Sequence, residues 1–224
     1  MKKMVKIGKT LVVICILLSN MHAFSQNEKK AKALLDTVSK KMGDYENMYL
    51  EFSTTLVNDE AGIKENDEPP TLGRITLQKE KYNLDYLGNT FIFNGKKLYV
   101  INHDDKEITI NDEDLDEDDG FIYPSKLLTF YKEGYNFTWG TLATEKGRKI
   151  QYIKLIPIDS KSEINEVQLG IDHKTNHIYK LIQIGANGTK TTLKINTFKS
   201  NQKLSDKLFT FDKEKYLKLD YLID

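Results

Sequence analysis

From Met48 onward the sequence is written in period two, and that alternation constrains the fold more than any other feature. Met48, Leu50, Phe52 and Leu56 share one face of a strand with Thr54, while Tyr49, Glu51, Ser53 and Thr55 take the other. Further strand patterns follow at short intervals: 71–79, 81–87, 91–101 as a hairpin, 107–110, 135–142, 149–158, 163–171, 177–184, 189–198 and a tail from Leu208 onward. Turn formers separate them, at Glu145-Lys146-Gly147-Arg148, Asp172 to Asn176 and Gly185-Ala186-Asn187-Gly188. A parallel βαβ architecture is excluded because the crossover helices are missing. The expectation is a mainly β protein, with a curved antiparallel sheet of about 11 strands that curls into a barrel or a sandwich.

The hairpin 91–101 poses a problem of its own. Asn94-Gly95 predicts a two-residue type I′ turn, because Asn tolerates and Gly freely adopts positive φ. Yet Phe91-Ile92-Phe93 and Leu98-Tyr99-Val100-Ile101 are apolar at every position, so both faces of the hairpin need cover. Two helical patterns accompany the strands. Ala31, Leu34, Leu35, Val38 and Met42 keep helical spacing up to Gly43, and Pro124 to Lys132 reads as a short helix with Leu127, Leu128 and Tyr131 in one stripe and Gly134 at its end.

The first 25 residues read as an export signal. Lys2, Lys3, Lys6 and Lys9 precede an apolar run from Leu11 to Leu18, and Ala23-Phe24-Ser25 has the small-x-small form of a cleavage site. Residues 26–224 then form a single expected domain. Cys15, the only cysteine, follows Ile14 inside the apolar run rather than the small residue of a lipobox, so the mature chain is expected to have no thiol, disulfide or lipid anchor. Loss of the four leader lysines leaves 29 basic against 33 acidic residues, which gives no footprint for nucleic acid.

Tests for chemistry return little. His173 and His177 have i, i+4 spacing, but HKTNH lies between two strands with turn formers inside it and reads as a solvated hairpin tip rather than a metal site. The run Asp112 to Asp119 offers no frame with Gly at position six and Glu at position twelve, so it reads as an acidic loop and not an EF-hand. GxSxG, phosphate-cradling and HExxH motifs are absent. The chain therefore reads as non-enzymatic, with no metal and no cofactor. Large apolar residues such as Tyr82, Leu84 and Tyr86, or Tyr135, Phe137 and Trp139, alternate with polar ones, and they either fill an ordinary core or line a hollow.

The tail Leu208-Phe-Thr-Phe-Asp-Lys-Glu-Lys-Tyr216 with Leu219-Asp-Tyr-Leu-Ile-Asp224 resembles the closing segment of LolA-type periplasmic lipoprotein carriers, in particular a branch from Bacteroidetes-like bacteria. Tyr49-Leu-Glu-Phe52 after the first helix, Asn94-Gly95-Lys96-Lys97-Leu98-Tyr99, and Pro124-Ser-Lys-Leu-Leu-Thr-Phe-Tyr131 match in the same order. The resemblance implies an incomplete antiparallel β-barrel covered by a lid of short α-helices. It implies a carrier that takes acylated lipoproteins from an inner-membrane ABC-type exporter to an outer-membrane acceptor or to the membrane itself, working as a monomer in the periplasm. Leu50, Phe52, Ile75, Leu77, Tyr82, Leu84, Tyr86, Phe91, Phe93, Tyr135, Phe137 and Trp139 would line its lipid cavity. Leu127, Leu128 and Tyr131 would belong to the lid. In the family an arginine before a proline latches the lid; the nearest match is Lys79 followed by Glu80, which lacks the planar fork of arginine and reads alternatively as a solvated strand-end lysine. A periplasmic sensor or regulatory module on the same half-barrel is the alternative reading.

Overall fold

The computed structural model describes residues 26–112, 126–127 and 129–224. The proposed signal segment lies outside them. The first helix, α1, occupies 26–43, and the alternating patterns become strands β1 (Met48–Val57), β2 (Thr71–Gln78), β3 (Lys81–Tyr86), β4 (Asn89–Phe93), β5 (Leu98–Asn102) and β6 (Glu107–Asn111). After the crossing segment come β7 (Tyr135–Glu145), β8 (Arg148–Pro157), β9 (Ile164–Asp172), β10 (Ile178–Gly185) and β11 (Lys190–Ser200). A short helix α2 (Lys213–Leu217) and a two-residue β12 (Leu222–Ile223) end the chain.

All twelve strands lie in one sheet, in the order β12-β6-β5-β4-β3-β2-β1-β11-β10-β9-β8-β7. Two meanders, β1–β6 and β7–β11, are joined along the β1–β11 seam, and β12 and β7 remain as edges, so the curved sheet is open and forms a half-barrel. β6 and β7 stand near opposite ends of the strand order, and the described part of the link between them lies over the concave face. Leu127, Phe130 and Tyr131 from that link pack there with Ala31, Leu35, Val38 and Met42 of α1 against Leu50, Phe52, Ile75, Leu84, Ile153, Leu155, Leu169 and Leu193. Each fully buried side chain of this size contributes about 1.5–3 kcal/mol.

Opposite faces of the apolar hairpin meet two different covers. Phe91, Phe93, Leu98 and Val100 join the concave cluster. Ile92, Tyr99 and Ile101 point to the convex side, where the C-terminal segment lies over them: Phe211 stacks on Tyr99 at 4.5 Å, and Tyr216, Tyr221 and Ile223 complete a second apolar cluster.

Several local expectations change. The 94–97 turn has four residues, since Phe93 pairs with Leu98. Asn94 does not take positive φ; its Oδ1 accepts from the backbone N–H groups of Lys96 and Lys97, both at 2.9 Å, and Gly95 alone is left-handed, with φ 89°. Among the described residues of 124–132 the structure shows a turn and then a 3-10 segment, Phe130–Lys132, instead of a helix; its cap residue, Thr129, makes no side-chain cap bond. The tail from Leu208 is mostly not strand, because Ser205 and Asp212 cap a 3-10 turn and α2 by accepting from Lys207 N and Lys215 N. Finally, β12 pairs with β6 in parallel, the one departure from an antiparallel ladder among the described strands.

Candidate functional site

The middle of the concave face is filled. Leu50, Phe52, Ile75, Leu77, Tyr82 and Leu84 are all buried beneath α1 and the crossing segment, while Tyr86, Phe91, Phe93, Tyr135, Phe137 and Trp139 are half-buried at its margins. Backbone shape contributes at one point. Gly73 lies opposite Phe52 across the β1–β2 ladder, and a Cβ there would stand 2.3 Å from Phe52 Cζ, so the ring lies flat on the glycine.

One end of the concave face is open. At the end where β1 runs into the 58–70 loop, a cavity of about 690 Å³ is lined by Thr54, Leu56, Ile63, Tyr86, Leu87 and Phe91 among others. This volume falls within the usual range of ligand pockets. Leu56, Ile63 and Leu87 are 48%, 38% and 64% exposed, although each is large and apolar. The floor has its polar atoms satisfied: the hydroxyls of Thr54 and Tyr86 are 2.8 Å apart, and the Tyr86 ring lies 5.5 Å from that of Phe52. Of the twelve residues proposed for a cavity, Tyr86 and Phe91 line this one. Ile63 was missed because its surroundings, Asn58 to Pro70, read as a polar loop; the single large apolar residue within that loop was the available signal. Leu87 follows the strand alternation and sits at φ 52° in the β3–β4 turn.

The other end is tied down. Lys41 Nζ donates to the Thr175 carbonyl at 2.7 Å, the Tyr45 hydroxyl lies 2.8 Å from His177 Nε2, and the His177 ring packs 4.1 Å from that of Phe198. His173-to-His177 is therefore only in part a solvated tip: His173 is exposed, but His177 is half-buried in an aromatic seat. Burial, helped by the nearby charge of Lys41 and opposed by Asp172, holds its imidazole below the ordinary value. No group of three or more His, Cys, Asp or Glu able to hold a metal occurs among the described residues.

Leu127 and Tyr131 are in the cover, together with Phe130, which the apolar stripe had left out; Leu128 lies outside the described residues. The Tyr131 hydroxyl is buried without a hydrogen-bond partner among the described residues. Burial pushes the phenol up, and Ser39 of α1 pulls the other way without completing a hydrogen bond. Lys79 stands exposed in the β2–β3 turn with φ 54°, and makes no hydrogen bond or ion pair to the described residues. From the acidic run, Asp112 pairs with Lys97 at 3.0 Å and the rest lies outside the described residues.

The chain is thus a half-barrel with an apolar pocket at one end and its concave face covered by separate elements. The model of the family described as outer membrane lipoprotein carrier protein LolA matches residues 79–212, more than half of the chain, and the chain belongs to that family. No curated protein matches it in sequence. Among solved structures, an uncharacterized conserved protein from Thermus thermophilus is similar at 11% identity and TM-score 0.58, over 87% of this chain and 98% of that one. A domain from Vibrio parahaemolyticus, provisionally named an outer membrane lipoprotein-sorting protein, is similar at 12% identity and TM-score 0.50, over 85% and 99%. At such identities the likeness is one of fold.

Proposed function

We propose that the chain is a periplasmic carrier that shields the acyl chains of lipoproteins on its concave face, without catalysing any reaction and without a cofactor. The observation that carries this reading is the apolar cavity of about 690 Å³ beside a cover made of elements other than the sheet itself. Each methylene taken out of water is worth about 0.8 kcal/mol, so long acyl chains would almost never cross an aqueous gap unaided. Release requires that the gain be nearly cancelled. A cover that leaves the concave face as acyl chains enter achieves this, because apolar contacts are exchanged rather than added. The Tyr131 hydroxyl, buried without a partner among the described residues, works in the same direction, since such a group costs about 1–3 kcal/mol and weakens the closed state. On this reading the protein acts as a monomer between an inner-membrane ABC-type exporter and an acceptor, or the bilayer, at the outer membrane.

Native mass spectrometry tests it. Delipidated protein comprising residues 26–224, mixed with a triacylated lipopeptide at micromolar concentration, is expected to give a one-to-one complex. Absence of any complex overturns the proposal.

A further inference from the structure

We infer that the open end of the half-barrel favours acylated cargo whose peptide segment next to the lipid anchor is cationic. This rests on the carrier reading and concerns the same pocket. The apolar floor of that pocket would take acyl chains, but its rim is of different chemistry. Glu65, Asp67 and Glu68 line it from the 58–70 loop, and Lys64 is the one cation among the lining residues.

No ion pair engages Glu65, Asp67 or Glu68 among the described residues. Asp67 accepts from the backbone N–H of Lys64 at 2.7 Å, which fixes the loop but leaves the charge uncompensated. The neighbouring elements do not redress the balance. Asp59 and Glu60 precede the lining residues on the same loop, Asp104 approaches the β3–β4 turn beside Gly88, and the β10–β11 turn supplies no charge before Lys190.

The geometry decides what this charge can act on. With acyl chains between Thr54, Leu56, Tyr86 and Phe91, the first residues beyond the anchor must leave past the 58–70 loop, within about one Debye length, ~8 Å, of its carboxylates. Lysine or arginine there meets unpaired carboxylates at an exposed rim; glutamate or aspartate meets like charge. The effect adds a head-group preference to an affinity set by the apolar floor.

Two triacylated lipopeptides with the same anchor, one followed by a short run of lysines and one by glutamates, test the inference by titration against residues 26–224. At low ionic strength the lysine peptide is expected to bind about tenfold more tightly, a preference that shrinks in physiological salt. The double variant Glu65→Gln, Glu68→Gln keeps the Asp67 loop bond and is expected to lose most of it. Equal binding of both peptides at low salt, or an undiminished preference in the double variant, overturns this inference and leaves the carrier reading standing. Binding of neither peptide overturns both.

Discussion

The two ends of the concave face are built on opposite terms. At the closed end, α1 is held to the β9–β10 turn and to β11 by a hydrogen bond from Lys41, by the Tyr45–His177 contact and by packing of both rings on Phe198. At the open end no helix lies on the sheet among the described residues lining the cavity, and Leu56, Ile63 and Leu87 are left in solvent. Between the ends, α1 meets the sheet through Ala31, Leu35, Val38 and Met42. Directional bonds hold α1 at one end and non-directional apolar contact holds it along the rest, which is the arrangement the proposed carrier needs of a cover that lifts while remaining attached.

The largest expected effect comes from placing the same charge at the centre and at the open end. Leu84 is fully buried, so Leu84→Asp leaves a carboxylate without a partner and costs several kcal/mol, enough to abolish cooperative unfolding near room temperature. Leu56 is half exposed, so Leu56→Asp changes stability by only about 0.5 kcal/mol while weakening an acyl or fluorescent hydrophobic probe by about tenfold. Thermal denaturation and probe titration of the two variants separate the roles. Equal loss of stability in both would make the open end another part of the core.

The contrast between the ends also explains what could be read in the sequence. Strands were legible because Leu50-Glu51-Phe52 or Tyr82-Asn83-Leu84 record burial residue by residue, and their number and short links pointed to one curling antiparallel sheet; that it stays a half-barrel was implied only by the family resemblance. The double apolar face of 91–101 announced two covers, but not that the second would be the C-terminal segment. That assignment depends on Phe211, Tyr216 and Tyr221 arriving from more than a hundred residues away. Likewise, Leu84 and Leu56 look alike in an alternating pattern, yet one lies under α1 and the other beyond its reach. Which inward residues are covered is set by where the helix and the crossing segment stop, a tertiary fact that periodicity does not encode. His177 illustrates the same point: its turn was evident, its partner Tyr45 was not.

A smaller effect sharpens the comparison from the side of the cover. Tyr131→Phe removes a buried hydroxyl that has no partner among the described residues, while keeping the ring against Phe130, 5.3 Å away. The closed state should gain about 1 kcal/mol, seen as a raised melting temperature. If, as proposed, acyl chains enter by opening that state, the apparent affinity for an acyl probe should fall by about fivefold. A lowered melting temperature would mean that the hydroxyl is satisfied in solution, and a cover held by more than apolar contact.

The smallest effect lies at the tied end and depends on pH. His177 faces Lys41 and Tyr45 from the α1 side, and Asp172 from the end of β9; burial and Lys41 hold its folded-state value below 6.5, against the opposing pull of Asp172. The unfolded chain therefore takes up the proton more readily. The stability tied to neutral His177 is present in full above about 6.5 and is lost as pH falls through the lowered folded value. Melting temperature should decline over that interval in the parent protein and much less in His177→Gln. Amide exchange in the last turn of α1 should quicken over the same range, whereas the 58–70 loop should not respond, since His177 is absent from the open cavity's lining. A parent and a variant with the same slope would show that the tie relies on Lys41 and Phe198 instead, and that acid leaves the anchored end of the cover in place.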